Sequence, residues 1–198
     1  MQLIAHRRNT LHELKKTPEY YGVEVDIRSF GNSLIVHHEP FTEGELFESW
    51  LSAYQHRTLI LNVKEEGLEN RIITLLKKFR IQDYFFLDQS FPFLVKYSLM
   101  GETRCSVRVS EFESIHTALK LAGRIDWAWI DCFTKFPLSY DDAHLLQSSG
   151  LKLCLVSPEL QGRNAEKEIR ALCQILSEEK IQPDAVCTKR PDLWEKFF

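Results

Sequence analysis

In the first third of the chain, four short apolar segments carry or end in polar groups of complementary chemistry. Leu3-Ile4-Ala5 runs into His6-Arg7, and Val23-Glu24-Val25-Asp26-Ile27 interleaves two carboxylates with three apolar residues. Leu34-Ile35-Val36 runs into His37-His38-Glu39-Pro40, and Leu61-Asn62-Val63-Lys64 ends in an amide and an ammonium. Alternate residues of a strand share a face. Glu24 and Asp26 therefore belong together, and so do Asn62 and Lys64. Each group alone is bland, since a single histidine is more often a satisfied core or surface residue than a catalyst. Together they supply imidazoles that exchange protons near neutral pH, carboxylates that attract a hard cation, and basic groups that neutralise an anion. Those are the parts that phosphoryl transfer requires.

The elements that must hold these groups recur along the chain. Strand-like runs are expected at Gln2–His6, Val23–Ile27, Thr58–Lys64, Tyr84–Leu87, Thr103–Val107, Trp127–Asp131, Lys152–Val156 and Ala185–Thr188. Between them, helical spacing of apolar residues marks Glu43–Gln55, Leu68–Phe79, Ser110–Ala122, Asp141–Ser149 and Asn164–Leu176. Gly150 stands where a helix C-terminal glycine belongs. Alternating β and α segments imply a parallel sheet, and eight units suggest a closed, loop-trimmed (β/α)8 TIM barrel occupying 1–198 as one domain. An open doubly wound sheet is the alternative. Gly31-Asn32 signals a tight hairpin after the second strand. In a barrel, Val23, Val25 and Ile27 suit the helix-packed side, so Glu24 and Asp26 point inward near a strand C-terminus, a metal-site candidate. If strand two is instead an edge, both carboxylates face solvent.

Composition narrows the function classes. The 198 residues carry 25 basic and 28 acidic side chains, a net charge of -3. A nucleic-acid or anionic-membrane binder needs a basic excess, so neither partner is expected. The apolar runs are strand-sized, which predicts no stable membrane insertion. MQLIAHRR lacks the apolar stretch of a secretion signal, and five scattered cysteines without metal spacing read as buried thiols of a cytoplasmic protein. Nothing in the chain sets an oligomeric state.

The motifs Ile4-Ala5-His6-Arg7, Glu24-Val25-Asp26 and Ile35-Val36-His37-His38-Glu39-Pro40, in that order, resemble the glycerophosphodiester phosphodiesterase family. That family shows a His-Arg-Gly start, an acidic-x-acidic second strand and a His-Asp-Pro segment. Pro183-Asp184-Ala185-Val186-Cys187-Thr188-Lys189-Arg190-Pro191 is similar to its closing strand and turn, and Leu87-Asp88-Gln89-Ser90-Phe91 to its fourth-strand Ser-Phe. The resemblance implies a phospholipase-C-like TIM barrel and a metal-assisted hydrolysis of a small phosphodiester. It implies that Glu24 and Asp26 hold Mg²⁺ or Ca²⁺, that His6 and His38 act as general acid and base, and that Arg7 and Lys64 bind the phosphate. A neighbouring substrate hydroxyl would attack phosphorus and release the alcohol through a cyclic phosphate. His37 alternates with His38 and is expected to point away.

The departures from the family pattern carry consequences. Arg8 replaces the glycine, the loop before Asn9-Thr10 is nearly deleted, Glu39 replaces an aspartate, and Lys189 stands in the closing strand. The third strand has Asn62 where the family has a glutamate ligand. An amide oxygen can coordinate a hard cation but brings no charge, so weak metal binding is expected, with Asn62 as a poorer third ligand. A catalytically inactive barrel that binds a phosphate compound or a protein partner is the alternative, and a lyase that stops at the cyclic phosphate is another. The leaving alcohol is not legible. Trp127, Trp129, Phe133 and Tyr140 suit core packing better than a sugar-stacking wall, and Ser157-Pro158 with Gln161-Gly162-Arg163 reads equally as a phosphate loop or a turn.

Overall fold

The computed structural model describes every residue from Met1 to Phe198. Its strands are β1 (Gln2–Ala5), β2 (Gly22–Phe30), β3 (Ser33–Val36), β4 (Glu45–Leu46), β5 (Leu59–Val63), β6 (Tyr84–Leu87), β7 (Ser106–Val109), β8 (Trp127–Ile130), β9 (Lys152–Val156) and β10 (Ala185–Thr188). Eight of them form a curled parallel sheet in the order β6-β5-β2-β1-β10-β9-β8-β7. Its ends meet through one parallel bridge, Phe86 to Cys105. This is a mixed α/β barrel with a seam between β6 and β7. β3 pairs antiparallel with the far end of β2 across the expected turn at Gly31, whose φ is +56°. Such a φ is easily reached without a Cβ.

Alternation along the strands sorts the side chains. Val23, Val25, Ile27, Leu59, Leu61, Val63, Val107, Val109, Ala128 and Ile130 join the core beneath the helices. Ile4, Ile60, Phe85, Leu87, Trp127, Trp129, Cys154, Val156, Ala185 and Cys187 fill the barrel lumen instead. Phe85 and Trp127 stack there with centroids 4.6 Å apart. Trp127 and Trp129 are thus core residues, whereas Tyr140 is exposed. The lumen floor is apolar, so inward polar residues beyond it must lie at the strand C-terminal ends, where barrels carry their sites.

The helices are α1 (Leu11–Lys16), α2 (Phe47–Ser52), α3 (Glu69–Lys78), α4 (Phe91–Leu99), α5 (Ile115–Leu121), α6 (Tyr140–Ser148), α7 (Ala165–Glu178) and α8 (Pro191–Phe197). The helix expected over 43–55 shortens to α2 because Glu45 and Leu46 pair with Val36 and Ile35. The helix expected from Ser110 starts at Ile115, since Ser110 and Glu113 exchange backbone hydrogen bonds in a tight loop that leaves Phe112 at its tip, 78 % exposed. The strand expected over 103–107 is Ser106–Val109: Cys105 N–H turns back to the Thr103 carbonyl, and Arg104 is tied to Glu102. All five cysteines are buried and unpaired. No helix is long and apolar enough to cross a membrane.

Candidate active site

β1 delivers His6, whose N–H bonds to the Thr188 carbonyl at 2.9 Å. The chain then turns sharply, with Arg7 at φ +51°, an unusual conformation for a residue with a Cβ. This turn aims the Arg7 N–H at Glu24 Oε2, 2.8 Å away. β2 and β5 are in register with Asp26 opposite Asn62. Glu24, Asp26 and Asn62 are buried and face the lumen end together, as alternation predicted. Asn62 Nδ2 donates to Glu24 Oε1 at 3.1 Å, and Lys64 Nζ lies 3.1 Å from Asp26 Oδ1.

The histidines approach from two sides. His6 Nε2 is 3.7 Å from Glu24 Oε2. His38, on the loop that follows β3, has Nε2 at 2.5 Å from Arg7 Nη2 and Nδ1 at 2.6 Å from Glu39 Oε1. A carboxylate on Nδ1 selects the tautomer that leaves the Nε2 lone pair toward Arg7. The Arg7 Nε is also 3.5 Å from Asp26 Oδ2, so Arg7 joins His38 to the carboxylate pair. His37 is turned away, its Nδ1 against the Glu39 backbone.

Two residues of this constellation carried no clear local signal. Asn9 clamps Asp26 twice: its Nδ2 donates to Asp26 Oδ2 at 2.8 Å and its Oδ1 accepts the Asp26 N–H at 3.0 Å. The shortened loop before α1 makes this possible, because Thr10 starts the helix through a capping box with Glu13 immediately afterwards. Glu39 was visible as a departure from aspartate, but its hold on His38 was not.

The electrostatics separate the two buried acids. Burial pushes the Glu24 carboxyl up to about 7, and the adjacent Asp26 charge adds to the rise. Burial acts on Asp26 in the same direction, but Lys64, Asn9 and Arg7 outweigh it and hold its carboxyl below the usual range. Burial, followed by the Arg7 and Lys189 cations, pushes His6 down to about 3. At neutral pH its imidazole is therefore uncharged.

The oxygens beside the two acids bear on whether a divalent cation fits. Asn62 Oδ1 is a buried oxygen without a hydrogen-bond partner, and Asp26 Oδ1 has only the Lys64 ammonium beside it. With Glu24 they form an oxygen set of the type Mg²⁺ or Ca²⁺ accepts. The fit is one of kind rather than charge: two acids and an amide face the cations of Lys64 and Arg7, and no cluster of three acidic, histidine or cysteine ligands occurs.

Against solved structures, the chain is similar to a glycerophosphodiester phosphodiesterase from Agrobacterium tumefaciens str. C58, with 15% identity over 99% of this chain and 98% of that one and a TM-score of 0.65. A glycerophosphoryl diester phosphodiesterase from Parabacteroides distasonis ATCC 8503 gives 12% identity, 98% and 85% coverage and a TM-score of 0.68. The fold is that of the glycerophosphodiester phosphodiesterase barrels. A mutant tryptophan synthase α-subunit from Pyrococcus furiosus also shares it, at 10% identity, 94% and 86% coverage and a TM-score of 0.58. Fold alone therefore does not choose the chemistry. No family model matches the sequence, and no curated protein does.

Proposed function

We propose that this phosphodiesterase-type barrel is a metal-assisted phosphodiester hydrolase acting on a small glycerophosphodiester-like substrate. The observation that carries the reading is the convergence of His6, His38, Arg7 and Lys64 on the buried Glu24–Asp26 pair at one open end of the barrel. The phosphate monoanion binds Arg7 and Lys64, and its arrival draws Arg7 off the His38 lone pair. A substrate hydroxyl next to the ester attacks phosphorus, and His38 Nε2 takes its proton while Glu39 steadies the resulting imidazolium. The bond from phosphorus to the leaving oxygen breaks, and that oxygen takes a proton from His6. His6 gives that proton as the imidazolium, which forms on substrate binding. The phosphate anion adds to the Asp26 charge, and together they oppose the burial and the Arg7 and Lys189 cations that keep the free site's imidazole neutral. Water then opens the cyclic ester with the roles reversed. Glu24, Asp26 and Asn62 would hold the divalent cation, which supplies further charge neutralisation at the phosphate oxygens when bound.

The Asn62 amide, which puts an N–H rather than a carboxylate on Glu24, favours a second reading: a barrel that binds phosphate compounds without turning them over. Incubating the protein and Mg²⁺ or Ca²⁺ with glycerophosphodiesters, followed by phosphorus NMR, decides between them. Hydrolysis predicts a phosphate monoester, and a persistent cyclic ester would identify a lyase. An unchanged diester at equimolar, millimolar enzyme and substrate would support the binding barrel.

A further inference from the structure

A second polar group lies at the same open end of the barrel, on strands the histidine chemistry does not use. On β7, Val107 and Val109 pack beneath the helices, so Arg108 faces the lumen. On β8, Trp127 and Trp129 face the lumen, and Asp131 follows them on that side. Arg108 Nη2 donates to Asp88. Its Nη1 faces Asp131 Oδ2 across 3.7 Å, too far for a hydrogen bond. Asp131 is 4% exposed, and its other oxygen accepts from Gln161 Nε2 at 2.6 Å.

The surroundings fix this ion pair, whose open side a hydroxyl could bridge. Gln161 ends a 3-10 turn over Pro158–Gln161, and Arg163 just beyond ties that loop to the Thr134 carbonyl. The Phe133 ring lies 6.0 Å from the Arg108 guanidinium carbon. A donor and an acceptor thus face each other within a fixed frame. A hydroxyl satisfies both, accepting from the guanidinium and donating to the carboxylate. An ammonium cannot accept, and a quaternary ammonium can do neither.

We propose that Arg108 and Asp131 form the subsite for the leaving alcohol and select a hydroxyl-rich polyol over a cationic amino alcohol. The assignment rests on the hydrolase reading above and names the substrate class of that same site. The carboxylates of Asp88 and Asp131 outnumber the one guanidinium, so a cationic alcohol is the competitor to test.

The experiment measures kcat/KM for wild type, Asp131→Asn and Arg108→Lys on glycerophosphoinositol, glycerophosphocholine and bis(4-nitrophenyl) phosphate. Wild type is expected to prefer the inositol ester over the choline ester by at least about 10-fold, below what a fully buried hydrogen-bonding site achieves because the Arg108 side chain is 30% exposed. Both variants should raise KM for the inositol ester and lower the inositol-to-aryl ratio of kcat/KM by about 10-fold. Arg108→Lys keeps a cation for Asp88 and guards against a folding defect in Asp131→Asn. Equal or better turnover of the choline ester, or an unchanged inositol-to-aryl ratio in the variants, overturns the subsite. Turnover of the aryl diester with either result leaves the hydrolase reading standing, whereas no turnover of any diester overturns both.

Discussion

The Lys64 ammonium lies 3.1 Å from Asp26 Oδ1, a carboxylate with no exposure to solvent. A neighbouring strand of the same barrel thereby supplies a permanent cation to one of the two acids expected to hold a metal. Removing one partner of a buried ion pair leaves an uncompensated charge. Lys64→Met should therefore lower stability by about 3 kcal/mol, the lower end of the usual cost because Asn9 and Arg7 still serve Asp26. Millimolar Mg²⁺ or Ca²⁺ should restore part of the loss in thermal melts. A variant as stable as wild type would show that the pair contributes nothing.

Asn62→Glu changes the charge of the cation site without moving its strand. Three carboxylates attract a hard divalent ion more strongly than two and an amide. Calorimetric titration with Mg²⁺ or Ca²⁺ should show at least about 10-fold tighter binding in the variant. Equal affinities would place the cation somewhere other than beside Asn62.

Much of this site was legible because strand alternation is a two-residue rule. Val23-Glu24-Val25-Asp26-Ile27 can bury its apolar residues beneath helices only by turning both acids into the lumen, and that is where they lie. The same rule applied to Ser106-Val107-Arg108-Val109-Ser110 points Arg108 inward, but a strand expected to end at Val107 stops short of it. Asn9 escaped because it works through a deleted loop, and a two-point clamp on a residue 17 positions away leaves no local pattern. α4 was missed although Pro92 occupies its first turn, because an apolar run beginning Phe-Pro-Phe-Leu-Val lacks the one-sided spacing of an amphipathic helix.

Asn9→Ala removes both contacts to Asp26 and leaves the buried Asp26 N–H without its partner. An unsatisfied buried donor costs about 1–3 kcal/mol. The variant should lose about that much stability and lose kcat more than substrate affinity, since Arg7 and Lys64 remain to bind phosphate. A purely structural role would lower stability and leave the kcat of the folded fraction unchanged.

Glu111 gives an acid limb to stability that involves none of the histidines or buried acids of the catalytic cluster. Burial would raise its pKa, but the backbone N–H groups of Lys135 and Thr134, at 2.7 and 2.6 Å, and the Thr134 hydroxyl hold it down to about 2. A carboxyl depressed in the folded state contributes fully above its ordinary value of 4.5 and loses that contribution as pH falls toward 2. Glu111→Gln should cost about 1 kcal/mol at pH 7 and flatten the fall in melting temperature between pH 4.5 and 2. An acid limb identical to wild type would assign the loss to other carboxyls.

The central claim is that His6 and His38 perform proton transfer on a bound phosphodiester, and kcat/KM on bis(4-nitrophenyl) phosphate and glycerophosphodiesters in the presence of Mg²⁺ or Ca²⁺ tests it most directly. Positioned proton transfer commonly contributes 10²–10⁴-fold, so His6→Ala and His38→Ala should each lose at least about 10²-fold, while His37→Ala stays within about 3-fold of wild type. Comparable losses at His37 and His38, or turnover that survives removal of both His6 and His38, would contradict the account.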